Sequence, residues 1–224
     1  MSRLVRAIST RLQRLAYPSD LRRISRHSIV DLERLENLRL LATDIAKREI
    51  PGDFVECGTY TGGSAATVSR VLRGTGRQSW LFDSFEGLPP VTDRDGRDAE
   101  EFVGKCVSSE DEVHEAMKSA DVPREQYIIK KGWFENTFAV APLPEKIALL
   151  HIDADWYESV LLSLETFHDS VPDGGVIALD DFGYWEGTRE AFYDFVAKRG
   201  IKPLLERVGD TQAFWIKGKQ HNRR

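Results

Sequence analysis

From Asp53 onward, short apolar runs alternate with segments whose apolar residues recur every three or four positions. The first pattern predicts strands and the second helices, because side chains alternate across a strand and repeat about every 3.6 residues around a helix. Strands are expected at DFVEC, SWLFD, QYIIK, KIALLHI and GVIALD. Helices are expected near 63–73, 98–106, 109–120, 157–170 and 187–199, with Ser108 or Ser109 capping the third. A long polar loop runs from SWLFD through Gly96, and KGWFEN reads as another loop. KPLLERV and QAFWIKG then pair through Gly209-Asp210, a hairpin turn. Such alternation implies an α/β fold: a parallel sheet with helices on both faces, plus an antiparallel strand at or near one edge.

Ahead of the first strand, Leu32, Leu35, Leu38, Leu41 and Ile45 stand at helical spacing. The S-x-x-D of Ser28 to Asp31 has the form of a capping box that starts this helix, and Ile50-Pro51-Gly52 ends it. Residues 1–27 carry seven arginines and one acid, Asp20, and their Leu4, Ile8, Leu12 and Leu15 fit a basic amphipathic helix that Pro18 interrupts. A membrane-surface anchor, a lid, a homodimer contact and a solvated surface helix all suit that segment. The expected division is a helical extension or lid at 1–50, one catalytic domain at 51–218 and a tail at 219–224.

Composition narrows the class. In 224 residues, 41% are hydrophobic, enough for a sizeable single core, and the net charge of -5 argues against a nucleic-acid partner. No stretch is long and apolar enough to span a bilayer, and arginines break any secretory leader, so a cytoplasmic protein is expected. Cys57 and Cys106 supply neither a disulfide framework nor a metal pair, and Cys57 reads as a core residue.

Two features carry chemistry. The first is GDFVECGTYTGGSAATVSRVL, a strand that turns through Gly58 and Gly62-Gly63 into a helix. Glycines let a ligand approach the backbone, and a helix N-terminus offers free N–H groups, although a tight turn without a ligand reads the same. Cys57 and Tyr60 replace glycines of the dinucleotide pattern, which disfavours a nicotinamide-dependent oxidoreductase, and no G-K-[ST] follows. Asp83 ends the next strand, where an acid holds the ribose hydroxyls of a nucleoside. The second feature is two acidic pairs, Asp153 with Asp155 and Asp180 with Asp181, closing consecutive strands. They emerge at one sheet edge and would repel unless a cation gathers them. Hard oxygen donors suit magnesium, manganese or calcium rather than zinc. Asp155 also suits a helix cap, and Asp181 a solvent-facing position.

FVECGTYTGGSA, LFDSFEGLPP, KGWFENT, IALLHIDADWYES and ALDDFG, in this order between Ser28 and Trp215, resemble the macrocin O-methyltransferase family (TylF/MycF/NovP type). This family is a branch of the class I S-adenosylmethionine-dependent methyltransferases. The resemblance implies a Rossmann-like sheet of seven strands, parallel with a reversed last strand. It also implies transfer of the methyl of S-adenosylmethionine to a hydroxyl of a small molecule, a sugar above all, with Mg2+ or Mn2+. Carried onto this chain, Glu56, Gly58, Tyr60 and Ser64 would line the methionine end of the cofactor. Asp83, Ser84 and Phe85 would hold the ribose, with Gly132 and Trp133 near the adenine. Asp153, Asp180 and Asp181 would bind the metal, and Asp155 would be the general base. The chain departs from the family where it reads Asp153-Ala154-Asp155-Trp156 and Asp180-Asp181-Phe182-Gly183, so sugar specificity is not carried over and a catechol-like phenol stays open as acceptor.

Trp133, Trp156, Tyr157, Phe182, Tyr184 and Trp185 crowd the same loops, either as an aromatic wall against the acceptor or as core. His151 reads as a hydrogen-bonded core histidine. The main alternative is a metal-dependent glycosyltransferase, for which Asp153-Ala154-Asp155 would serve as the D-x-D that holds a nucleotide-sugar; a non-catalytic carrier of the same fold is another. The glycosyltransferase reading leaves the glycine-rich turn unexplained.

Overall fold

The structure, a computed structural model, describes residues 16–140 and 142–221. The basic amphipathic helix expected from Leu4 to Leu15 lies outside these residues.

Seven strands form one sheet: β1 (Asp53–Cys57), β2 (Ser79–Asp83), β3 (Tyr127–Lys131), β4 (Ile147–Ile152), β5 (Val176–Leu179), β6 (Glu206–Val208) and β7 (Gln212–Ile216). Their order is β3-β2-β1-β4-β5-β7-β6. All neighbours pair in parallel except β7, which runs antiparallel to both β5 and β6. The expected reversed strand is therefore β7, and β6, across its hairpin, forms the edge. Strands to one side of β1 continue with β2 and β3, and strands to the other side with β4 and β5. The crevice between β1 and β4 is thus the switch point where ligands bind in such sheets.

Alternating residues along the central strands explain the three layers. In β5, Val176 and Ala178 join one core, whereas Ile177 and Leu179 join the other. Trp80 and Phe82 of β2 likewise face away from Leu81, and Phe54 of β1 away from Val55 and Cys57. The first core is covered by α2 (Leu32–Lys47), α3 (Gly63–Val71) and α4 (Glu110–Ser119), and the second by α5 (Phe134–Thr137), α6 (Tyr157–Phe167) and α7 (Glu186–Arg199). Because every residue of β4 is buried, its sequence is an apolar run, broken by His151, rather than an alternation. No helix among the described residues is long and apolar enough to cross a membrane.

The structure revises several boundaries. A short helix, α1 (Ser19–Ile24), begins directly after Pro18, which is its N-cap residue. Asp31, not Ser28, caps α2: its Oδ1 accepts from the backbone N–H groups of Glu33 (2.9 Å) and Arg34 (3.0 Å). Ser28 instead accepts from Val30 N–H at 3.0 Å, closing a small turn before the helix. The segment expected as a helix at 98–106 is a 3-10 turn over Arg97–Phe102, and KGWFEN contains the start of α5. Ser109 caps α4, accepting from Glu112 N–H at 3.3 Å.

The described part of the extension is fastened to the first glycine turn. Thr61 Oγ1 donates to the His27 carbonyl at 2.8 Å. A Cβ at Gly63 would lie 2.4 Å from Ser28 Cβ and 2.5 Å from the His27 oxygen, so only glycine permits this approach.

Candidate active site

A cleft of about 740 Å³ opens at the carboxyl ends of the strands. Its wall includes Gly58, Tyr60 and Ser64 from the turn after β1, Asp83 and Ser84 after β2, and Trp133 after β3. Asp153 and Asp155, after β4, complete it, and the segment His27 to Val30 closes one side.

The glycine-rich turn is built around Asp83. One carboxylate oxygen of Asp83 accepts from the backbone N–H groups of Thr59 (2.8 Å) and Tyr60 (2.7 Å), and the other from Phe85 N–H (2.7 Å). Tyr60 and Phe85 both take positive φ, 49° and 62°, and these bonds hold them there. The acid expected to meet a ribose therefore also shapes the turn, a role the spacing did not announce. Its carboxyl is raised above the ordinary range because burial outweighs these three bonds. Phe85 is buried in the first core rather than in the cleft wall, and Gly132, at φ 136°, donates its N–H to the Asp83 carbonyl at 2.9 Å. Glu56 is also absent from the wall. It is fully buried, with Oε1 2.9 Å from His151 Nδ1 on the neighbouring strand.

Beyond β4 and β5, carboxylate oxygens of Asp153, Asp180 and Asp181 come within 4.8 Å of one another. The backbone sets this up, since Asp153 N–H donates to Cys57 O and Asp180 N–H to Ile152 O, each at 2.9 Å. Burial, followed by repulsion from Asp180 and Asp181, pushes the Asp153 carboxyl well above the usual range. Burial and the charges of Asp155 and Asp180 do the same to Asp181. Asp180 behaves oppositely. Burial alone would raise its carboxyl, but His151, Arg34 and Gln212 hold it below the usual value. The Gln212 side chain donates to Asp180 Oδ1 at 2.8 Å, Arg34 pairs with Oδ2, and His151 Nε2 stands 3.6 Å from Oδ1, beyond hydrogen-bond reach. Burial would lower the His151 imidazole, but Asp180 and Glu56 raise it to about 9.

Arg34 and Asn37, which donates to Gln212 at 2.6 Å, come from α2. Sequence reasoning missed both, because a polar residue on an amphipathic helix gives no sign of a partner 146 or 175 positions away. It also missed Asp95. This buried acid of the polar loop accepts from Tyr157 N–H at 2.6 Å, and so takes the N-terminus of α6 where Asp155 had been a candidate cap.

Asp155 adopts a left-handed backbone, φ 56°, and its carboxyl is raised to about 6, chiefly by burial, with an opposing hydrogen bond from Trp185. A carboxyl near that value suits proton transfer at neutral pH. Of the aromatic residues, Trp133 and Trp156 line the cleft. Trp156 is nonetheless 1% exposed and donates its indole N–H to the Pro89 carbonyl at 2.9 Å. Tyr157, Phe182 and Trp185 are buried, while Tyr184 is 56% exposed. The group is a packed scaffold behind the cleft more than a wall within it.

The model of a family described as Macrocin-O-methyltransferase (TylF) matches residues 9–217. Over 198 residues the chain is 31% identical to 8-demethyl-8-(2,3-dimethoxy-alpha-L-rhamnosyl)-tetracenomycin-C 4'-O-methyltransferase of Streptomyces olivaceus, covering 84% of this chain and 75% of that protein. It is 30% identical, with the same coverage, to demethyldecarbamoylnovobiocin O-methyltransferase of Streptomyces niveus. Among solved structures, the O-methyltransferase NovP superposes with a TM-score of 0.76 at 29% identity, over 86% of this chain and 83% of NovP.

Proposed function

The chain belongs to the macrocin-O-methyltransferase family of S-adenosylmethionine-dependent enzymes, and from that premise we propose that it methylates a sugar hydroxyl of a small natural product with the help of a divalent cation. Family membership displaces the glycosyltransferase reading of Asp153-Ala154-Asp155. The observation that carries the proposal is the convergence of the Asp153, Asp180 and Asp181 carboxylates, with Asp153 itself in the wall of the cleft that the glycine-rich turn also lines. Support for a sugar acceptor comes from the rhamnosyl group in the name of the Streptomyces olivaceus relative. We assign the reaction to the cytoplasm.

The donor set fits magnesium or manganese. It consists of oxygens alone, and Asp153 and Asp181 are held above their ordinary range by burial and by the charges of neighbouring carboxylates, Asp180 among them in both cases. Asp153, Asp180 and Asp181 would hold the ion, which when bound supplies Lewis acidity that acidifies the acceptor hydroxyl. Glu56 would act from behind the turn, while Gly58, Tyr60 and Ser64 receive the methionine end of the cofactor. Asp83 and Ser84, backed by Phe85, would bind the ribose, and Gly132 and Trp133 the adenine edge. Asp155 accepts the hydroxyl proton as the oxygen attacks the methyl carbon. S-adenosylmethionine, when bound there, would supply the activated methyl, the new C–O bond replacing the S–C bond and S-adenosylhomocysteine being the leaving group. Alignment of two bound reactants can lower the barrier by about 7–11 kcal/mol.

The test is incubation with 13C-methyl-labelled S-adenosylmethionine and magnesium against methyl α-L-rhamnopyranoside, other deoxysugar glycosides and 4-nitrocatechol. A labelled sugar methyl ether, abolished by EDTA and restored by magnesium, is expected. Methylation of the phenol alone would overturn the sugar acceptor, and turnover indifferent to EDTA would overturn the cation.

A further inference from the structure

The turn that carries Asp155 is braced from several directions. Thr188 Oγ1 donates to the Asp155 carbonyl at 2.7 Å, Trp156 N–H to the Ala154 carbonyl at 2.6 Å, and Tyr157 N–H to Asp95 Oδ1 at 2.6 Å. These bonds fix the backbone of a residue whose positive φ is costly outside glycine. They leave the carboxylate free to rotate about its own bonds. One further contact removes that freedom: Trp185 donates its indole N–H to Asp155 Oδ1 at 2.7 Å.

The donor is itself immobilised. Trp185 is 7% exposed and does not line the cleft. Edge-on partners surround it: Trp156 at 4.9 Å and 75°, Phe102 at 5.0 Å and 76°, and Tyr184 at 4.6 Å and 85°. An indole has a single N–H and no acceptor, so a ring held in this way offers one bond in one direction.

We infer that Trp185 is a positioning residue for methyl transfer: its N–H occupies Oδ1 of Asp155, so that the carboxylate presents its other oxygen to the acceptor from a single direction. The inference rests on the reading of Asp155 as proton acceptor. Reaction rates depend steeply on such alignment, and a group that orients a functional side chain typically changes its performance ten-fold or more. Trp185, immediately before α7, meets the carboxylate itself, and Thr188, in the first turn of α7, holds the carbonyl of the same residue.

Trp185→Phe keeps an aromatic ring in place and deletes the donor. With methyl α-L-rhamnopyranoside, S-adenosylmethionine and magnesium, kcat is expected to fall about ten-fold while KM for S-adenosylmethionine stays unchanged. A merely structural role would instead lower the melting temperature and weaken S-adenosylhomocysteine binding with kcat. That result, or full turnover by Trp185→Phe where Asp155→Asn is inactive, would overturn the inference. Full turnover by Asp155→Asn would sink the proton-acceptor reading itself. A second measurement needs no acceptor. The 15N-indole resonance of Trp185, identified by its loss in Trp185→Phe, should move upfield in Asp155→Ala as the charge-assisted bond disappears. A resonance indifferent to Asp155→Ala would overturn the inference outright.

Discussion

At Gly58 an added methyl carbon would sit 1.8 Å from the Asp153 carbonyl oxygen, and the residue's φ is +87°. β1 and β4 are hydrogen-bonded neighbours, so neither backbone can withdraw without loosening the bond from Asp153 N–H to Cys57 O. Gly58→Ala is therefore expected to cost about 2 kcal/mol, or about 4–8 °C of melting temperature. It should also weaken S-adenosylhomocysteine about ten-fold, since 1.4 kcal/mol is a factor of ten. Calorimetric titration checks this, and unchanged affinity would remove the turn from the ligand site. Asp155→Asn is a different kind of change, nearly isosteric but unable to accept the proton. Turnover should fall by about 10²-fold or more with S-adenosylhomocysteine affinity retained. The glycine and acidic residues were legible in the sequence because each closes an apolar strand. Their partners were not, because Asp95, Arg34 and Trp185 reach the site through side chains whose direction no spacing rule fixes.

The helix α2 shows how far pattern reading extends at the level of an element. Leucines at helical spacing identified its buried face, and Leu35, Leu38, Leu41 and Ile45 are all buried. The start was misplaced because Ser28 and Asp31 are both competent caps. The choice is made by the turn between them, in which Val30 enters the satellite core with Leu21 and Leu35. Asp31→Ala should cost about 1 kcal/mol, read as a lower urea midpoint at unchanged m-value. It also removes the 3.1 Å pair with Arg34, so the geometry at Asp180 should slacken and turnover decline with it. The 3-10 turn at Arg97–Phe102 has the opposite history. Helical composition there yields to the loop's own clasp, in which Leu88 N–H donates to the Lys105 carbonyl at 2.8 Å and Gly104 N–H to the Leu88 carbonyl at 2.9 Å.

For the molecule as a whole, the buried charges predict a dependence of stability on pH. Asp153, Asp181 and, at about 6, Asp155 bind protons more tightly folded than unfolded. The folded state therefore loses stability as pH rises through their titration. His151, raised to about 9, acts in the same direction: its contribution is complete below about 6.5 and disappears as pH rises to 9. Asp180, held below the usual range, adds no slope there. In EDTA the melting temperature should thus fall between pH 6 and pH 9, and the rise produced by magnesium should be larger at pH 8 than at pH 6. Melts that are flat with pH, or a magnesium effect that shrinks toward pH 8, would contradict the cation assignment. The strand–helix alternation had already placed the acids at one sheet edge, since consecutive parallel strands all end there. The distribution of counter-charges depended on tertiary contacts between α2, β4, β5 and β7, which no local pattern encodes.

One of those counter-charges arrives from ahead of the first strand, on the guanidinium of Arg34. Anyone borrowing this scaffold for a new acceptor could not discard its first fifty residues as a detachable handle. A version beginning at Pro51 would inherit the pocket floor yet forfeit both the cation that quiets Asp180 and the His27–Val30 rim.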